Sequence, residues 1–387
     1  MMAQRPAGSE TAGIYVHIPF CRSKCAYCAF TSYPVAGHDP EAYLNALAQE
    51  IGFYQEQAWC RGYLFSSLFI GGGTPTILTA PQLTSLLNRL RTSFAFTDEA
   101  EISVEANPDT VDAAKLAALR AAGVNRLSLG IQTFNDATLR RIGRPHTAAD
   151  GEQAVALARE AGFRNLNLDL IYGLPGQSPT DWRQTLALAV ALAPEHLSAY
   201  QLSIDPGSNF AELSTAGKLQ LPDEECEAEM AEDVVSSLAA ANYGRYEISN
   251  YARPGYQCRH NLGYWHNHSY LGLGVGAVGC LSGLRLRNIG EPQRYQDCWA
   301  HRQPAWLEAE GLDRDRAFRE TVVMGLRLLA GLNLAELQNR FGIEPQQYYG
   351  ATLNKLIARD LLEVIGHHLR LTTRALPVAN QVLAELV

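Results

Sequence analysis

Three thiols stand close together in YVHIPFCRSKCAYCAF, residues 15–30: Cys21, Cys25 and Cys28, spaced Cys-x3-Cys-x2-Cys. A structural zinc takes four ligands, commonly from two separated pairs. No second pair exists here, because Cys60, Cys226, Cys258, Cys280 and Cys298 are scattered. Scattered cysteines in a chain of this size read as small buried hydrophobes rather than a disulfide framework. Four irons held by three thiolates leave one iron open, and an open metal position is what a chelating substrate requires. A [4Fe–4S] cluster on Cys21, Cys25 and Cys28 is therefore the expected metal centre. Phe30, two residues beyond the last thiol, is expected to keep this loop packed.

A second group of polar residues recurs where apolar runs end. GGGTPT, residues 71–76, supplies glycines that let a backbone approach a ligand closely. Glu105, Gln132, Arg144 and Asp169 occupy comparable places further on. Each acid alone reads equally as a helix N-terminal carboxylate, and Arg144 as a surface cation. Five such positions on one face of a fold point to a site.

A third group is CRHNLGYW, with His260, Asn261, Tyr264 and Trp265. A neutral imidazole is a common axial ligand of heme iron, and a neighbouring amide can orient it. Tyr264 and Trp265 offer flat faces to a flat macrocycle, and Arg245, Arg253 and Arg259 could meet its propionates. His266, His268 and Cys258 are rival iron ligands. The bland alternative is that His260 belongs to a packed, hydrogen-bonded loop. GVGAVG, residues 274–279, satisfies a dinucleotide fingerprint literally, but a turn and a strand follow where a helix is required. Close backbone packing accounts better for those glycines.

Six short apolar runs must position these groups: GIYVHI, SSLFIGGG, EISVEANP, RLSLGIQ, NLNLDLIYGLP and LSAYQLSI. Helical signals lie between them. Asp39-Pro40-Glu41 offers a cap and a first-turn proline, SPTD resembles a capping box, and AAKLAALRAAG ends at Gly123. Strand and helix in alternation imply an α/β fold with a parallel sheet, either open and doubly wound or a partial barrel. Chemistry then belongs in the loops after the strands, and the three thiols fall in the first of them.

The expected organisation is a flexible tail over 1–13, a barrel over 14–245, a β-rich Gly/His/Tyr module over 246–312 and a winged-helix-like domain over 313–387. That last segment holds nine Lys/Arg and eight Asp/Glu, and the whole chain carries 32 basic against 40 acidic residues, net −8. Such a balance excludes a general nucleic-acid binder. No secretory signal and no membrane-length apolar run is visible, so a cytoplasmic protein is expected.

The cysteine spacing, with Tyr27 directly before the last thiol, resembles the radical S-adenosylmethionine superfamily. That resemblance implies a partial (β/α)6 TIM-type barrel. It also implies S-adenosylmethionine chelating the open iron through its amine and carboxylate, and reductive cleavage to a 5′-deoxyadenosyl radical. By the same resemblance Gly72, Gly73 and Thr74 bond the methionine amine. Glu105 and Asp169 hold ribose or amino groups, Arg144 meets the carboxylate, and Tyr15, Tyr27 and Gln132 line the site. The likeness narrows to the coproporphyrinogen-dehydrogenase-like branch, running from YVHIPFC through DLIYGLPGQ to CRHNLGYW and YLGLG. Dehydrogenases of that branch carry a further cysteine two residues after the third, and a long N-terminal extension. Here Phe30 stands at that position and only twenty residues precede Cys21. The branch's heme chaperones end the motif in Cys-x-Phe and carry His-Asn-x-x-Tyr-Trp, as this chain does. The implied function is a heme chaperone that passes heme to an acceptor apo-hemoprotein, such as a respiratory enzyme, at the membrane or away from it. An electron donor is a further implied partner. Radical decarboxylation of coproporphyrinogen III propionates is the alternative, and the sequence leaves open whether the chain is an enzyme.

Overall fold

The computed structural model describes residues 11–387. Its centre is six parallel strands laid side by side in chain order: β1 Thr11–Ile18, β2 Leu64–Gly72, β3 Phe96–Ala106, β4 Arg126–Gln132, β5 Leu166–Tyr172 and β6 His196–Gln201. These are the six apolar runs, and the fold is the expected α/β partial barrel. All seven residues of β4 are buried, as a parallel strand covered on both faces requires. Crossover helices α1 Pro40–Glu56, α2 Ala80–Ser93, α3 Ala113–Ala121, α4 Ala148–Glu160 and α5 Pro179–Ala191 return the chain between strands. Capping boxes start α2 at Thr79/Gln82, α4 at Thr147/Asp150 and α5 at Ser178/Asp181, while Asp39 caps α1.

The sheet continues at both edges. Beyond β6, after helix α6 Glu224–Ala240, lie β7 Gly244–Arg245 and β8 Asn250–Ala252, with β8 antiparallel to β6. On the other side, β9 Tyr270–Leu273 pairs in parallel with β1, followed by β10 Val278–Leu281, β11 Leu284–Asn288 and β12 Trp306–Gly311. The stretch expected as a β-rich module thus adds its strands to the barrel sheet and its side chains, Leu271, Leu273, Leu281 and Trp299 among them, to the barrel core. Glycine permits the close approach there: a Cβ on Gly279 would sit 2.5 Å from the Gly272 nitrogen. Of the expected tail, Thr11–Gly13 open β1, and residues 1–10 lie outside the described residues.

Between β8 and β9 the chain forms helix α7, Arg259–Trp265, which carries the His-Asn motif. The C-terminal segment packs α8 Arg314–Gly325, α9 Leu334–Phe341 and α10 Ala351–Ala358 against a small sheet of β13 Leu332–Asn333, β14 Leu362–Ile365 and β15 His368–Leu371. It has its own core of Phe318, Val322, Leu326, Leu353 and Leu356. Among the described residues no helix is long and apolar enough to cross a membrane.

Candidate functional site

The C-terminal ends of the central strands surround a cavity of about 360 Å³. Cys21, Cys25, Tyr27 and Cys28 line it from the loop after β1, and Gly72, Gly73 and Thr74 from the end of β2. Glu105, Gln132, Arg144 and Asp169 complete the walls. Eleven of the twelve residues singled out for the cluster and S-adenosylmethionine therefore share one space; the twelfth, Tyr15, lies deeper.

Each position has a local cause. Gly73 passes so close to the cluster loop that a Cβ would meet the Phe20 carbonyl at 2.7 Å and the Cys21 sulfur at 3.0 Å. Gly72 has φ +111°, and a Cβ there would strike the His17 ring at 2.6 Å. Gln132 turns into the cavity with φ +66° at the end of β4, a conformation non-glycine residues rarely adopt. Backbone cost of this kind is retained where surroundings enforce it, commonly at functional sites.

Polar atoms converge on the thiols. Thr74 Oγ1 donates to Cys21 Sγ at 3.5 Å, Arg144 Nη1 to Cys25 Sγ at 3.7 Å, and Ser32 Oγ lies 3.9 Å from Cys28 Sγ. Arg144 is further held by the Asn107 amide oxygen at 2.8 Å and by the Gly130 carbonyl. Its Nε is buried with no partner among the described residues. Burial pushes the Cys21 and Cys28 thiols up, against the lowering effect of the Thr74 and Ser32 hydroxyls. The residues fit an iron–sulfur cluster: three thiols face one cavity, a glycine cradle lies against one of them, and a guanidinium donates to another.

Glu105 and Asp169 differ sharply. Asp169 accepts from Ser128 Oγ at 2.8 Å and Asn167 Nδ2 at 2.9 Å. Glu105 accepts only from the Gly72 N–H, at 3.1 Å, among the described residues. Burial first, then the nearby Asp169 charge, raises the Glu105 carboxyl to about 8.

Below this space lies a second cavity of about 210 Å³, with Glu105, Ser128, Asp169 and Tyr200 in the walls of both. Tyr15 faces the lower one, where its hydroxyl bonds His17 Nδ1 at 2.9 Å. His17 Nε2 bonds the Thr31 carbonyl at 2.7 Å, so Nε2 carries the proton and Nδ1 accepts from Tyr15. His17 thus ties β1 to the end of the cluster loop. Sequence reasoning missed it, although Tyr15 and His17 alternate onto one face of β1 and so signal a shared interior. It also missed Asn107 and Ser128, whose roles are to hold Arg144 and Asp169.

The His-Asn motif does not present an open imidazole. His260 is 3% exposed at the floor of the barrel. Its Nδ1 bonds Ser67 Oγ at 2.9 Å, its Nε2 bonds the Tyr264 hydroxyl at 2.8 Å, and its ring stacks on Phe69 at 5.3 Å. Gly13 makes room for it: a Cβ there would lie 3.1 Å from the imidazole. Burial lowers its pKa to about 3. Asn261 lines the lower cavity, whereas Trp265 turns away, its ring beneath the Arg327 guanidinium at 5.3 Å. The arginines named for propionates are tied elsewhere: Arg245 to the Ile248 carbonyl, Arg253 over the Tyr243 ring and Arg259 to the Glu99 carbonyl. Cys258 is buried and donates to Glu101 Oε1 at 3.4 Å. His266 and His268 are exposed, their rings stacked 5.4 Å apart. Phe30 does not pack its loop. It is 70% exposed at the lip of the cluster cavity.

Comparison with known proteins agrees with this architecture. Residues 15–189 match the radical SAM superfamily model and residues 312–378 the HemN C-terminal domain. Heme chaperone HemW of Bacillus subtilis is 38% identical over 95% of this chain and 97% of its own length. HemW of Escherichia coli is 41% identical over 69% of each. The solved structure of coproporphyrinogen III oxidase (HemN) from Escherichia coli, described as a radical SAM enzyme, superposes with a TM-score of 0.85. It shares 26% identity, over 98% of this chain and 90% of that one. Radical SAM membership implies a [4Fe–4S] cluster and S-adenosylmethionine. With a relative matched nearly end to end, the chain belongs to the heme chaperone HemW family of the radical SAM superfamily.

Proposed function

We propose that this chain is a heme chaperone that binds heme and hands it to an acceptor apo-hemoprotein. The observation that carries the reading is the near full-length likeness to heme chaperones, in a chain that has Phe30 where the branch's dehydrogenases resemble one another in a further cysteine.

On this reading Cys21, Cys25 and Cys28 would hold a [4Fe–4S] cluster, which when bound supplies a vacant iron for chelation and a source of single electrons. The chain's own residues do the rest. Thr74 and Arg144 point donors at two sulfurs and offset thiolate charge. The unpartnered Arg144 Nε suits the carboxylate of S-adenosylmethionine. Asp169, held by Ser128 and Asn167, is a preset acceptor for ribose hydroxyls or an amine. Glu105 has one oxygen uncommitted and serves the same purpose across the cavity. Gln132 and Tyr27 complete the wall, and Tyr15 supports it from below.

For heme we assign the neighbourhood of α7. His260 could reach iron only by giving up Ser67 or Tyr264, so its role is to hold Tyr264. The test is anaerobic reconstitution followed by heme titration and transfer to an apo-hemoprotein. The reading expects binding near one heme per chain and loss of heme to the acceptor; absence of either rejects it. The dehydrogenase reading keeps some support from the backbone likeness to HemN. Protoporphyrinogen formation from coproporphyrinogen III under reducing, anaerobic conditions would favour it instead.

A further inference from the structure

We propose that heme lies not at the cluster mouth but in a groove between the sheet edge and α8, a site that rests on the chaperone reading. The groove has a volume of about 450 Å³. Its apolar wall is Leu312, Val323 and Met324, and its floor is Tyr264 and Tyr270, whose rings meet edge to face at 4.7 Å. Ligand sites of this kind are mostly apolar with a few placed polar groups. Met adapts its shape to an apolar ligand, and tyrosine faces suit a flat one.

Charge decides between the two spaces. The mouth is lined by the carboxylates Asp169 and Asp205 and by the buried Glu105 carboxyl against the single cation Arg144, an arrangement that disfavours propionates. The groove carries Arg285, Arg316 and Arg319 against Glu310 and Glu320. Arg285 is bound to Glu320 through both terminal nitrogens at 2.7 Å, and Arg316 to Glu310 at 2.7 Å. Arg319 has no carboxylate partner among the described residues. One propionate pairs with Arg319. The second takes Arg316 from Glu310, a half-exposed ion pair of the kind that contributes little and exchanges readily. Tyr264 gives the His-Asn motif its part: His260 fixes the tyrosine that floors the groove.

The experiment is heme titration of the reconstituted full chain, followed by absorbance, for the native protein, Arg319→Glu and Val323→Trp. Circular dichroism and iron and sulfide content are measured alongside. Arg319→Glu removes a charge-assisted pair and adds repulsion, and Val323→Trp fills the space. Each is expected to raise the heme Kd about tenfold or more, with iron and sulfide unchanged. Kd values within twofold of the native protein in both folded variants would overturn the groove and leave the chaperone reading standing. If Val323→Trp loses its native spectrum, Arg319→Glu alone decides. Native protein that takes up no heme would overturn both.

Discussion

At the mouth of the barrel Arg144 keeps a buried Nε unpartnered and Glu105 keeps a carboxylate oxygen uncommitted, while at the floor His260 has both nitrogens engaged. Both regions are buried and polar, and both carry residues whose types suggest ligand chemistry. Polar capacity left unspent inside a protein costs free energy, on the order of 1–3 kcal/mol per group, and persists where a ligand restores the balance. Spent capacity is structure. The contrast assigns the cluster and S-adenosylmethionine to the mouth and a supporting part to His260.

The largest effect that could break this contrast is at the thiols. Replacing Cys21, Cys25 or Cys28 by Ala is expected to abolish stoichiometric iron and sulfide after anaerobic reconstitution. Retention of a full cluster in any of the three would remove the mouth from the account.

His260→Ala comes next. It strips Ser67 and Tyr264 of their partner, and a loss of about 1–3 kcal/mol in denaturant unfolding is expected. Heme affinity should fall far less than in Arg319→Glu. The reverse order, a full loss of heme with unchanged stability, would make His260 a ligand after all.

The two regions also differ in the sign of their pH dependence. Burial lowers His260 to about 3, so its neutral form is the folded one. The stability it contributes is complete above the ordinary histidine value and is lost as pH falls toward 3. Burial and Asp169 raise Glu105 to about 8, so its protonated form is the folded one. That stability is complete below the ordinary carboxyl value and is lost as pH rises toward 8. Glu105→Gln should therefore flatten the alkaline limb of a stability profile and His260→Ala the acid limb. Neither slope changing would contradict the burial assigned to both groups. The smallest effect is at Phe30: with 70% of its surface exposed, Phe30→Ala should move stability by no more than about 0.5 kcal/mol.

How far the sequence could be read follows the same division. The six central strands were legible because each buried run ends in a polar or glycine-rich break, and the mouth residues because parallel strands deliver their C-terminal loops to one face. The edge strands around β9 were not: the pairing of β1 with Tyr270–Leu273 is a contact across most of the chain, which no local pattern announces. The partners of His260 were legible only in part, for a related reason. Its partner Ser67 comes from β2, far off in sequence, although Tyr264 lies one turn on in α7, and an imidazole that is satisfied looks identical in sequence to one that is open. Phe30 was read as packed because aromatics usually are, whereas it stands exposed at the lip of the mouth.

On this assignment cluster and heme occupy separate places in the chain. Heme titration of the Cys21→Ala/Cys25→Ala/Cys28→Ala triple variant, checked for native circular dichroism, tests it directly. The expected result is no iron–sulfur cluster and a heme Kd within about threefold of the native protein, less than about 1 kcal/mol. Heme binding that disappears together with the cluster in a folded variant would contradict it.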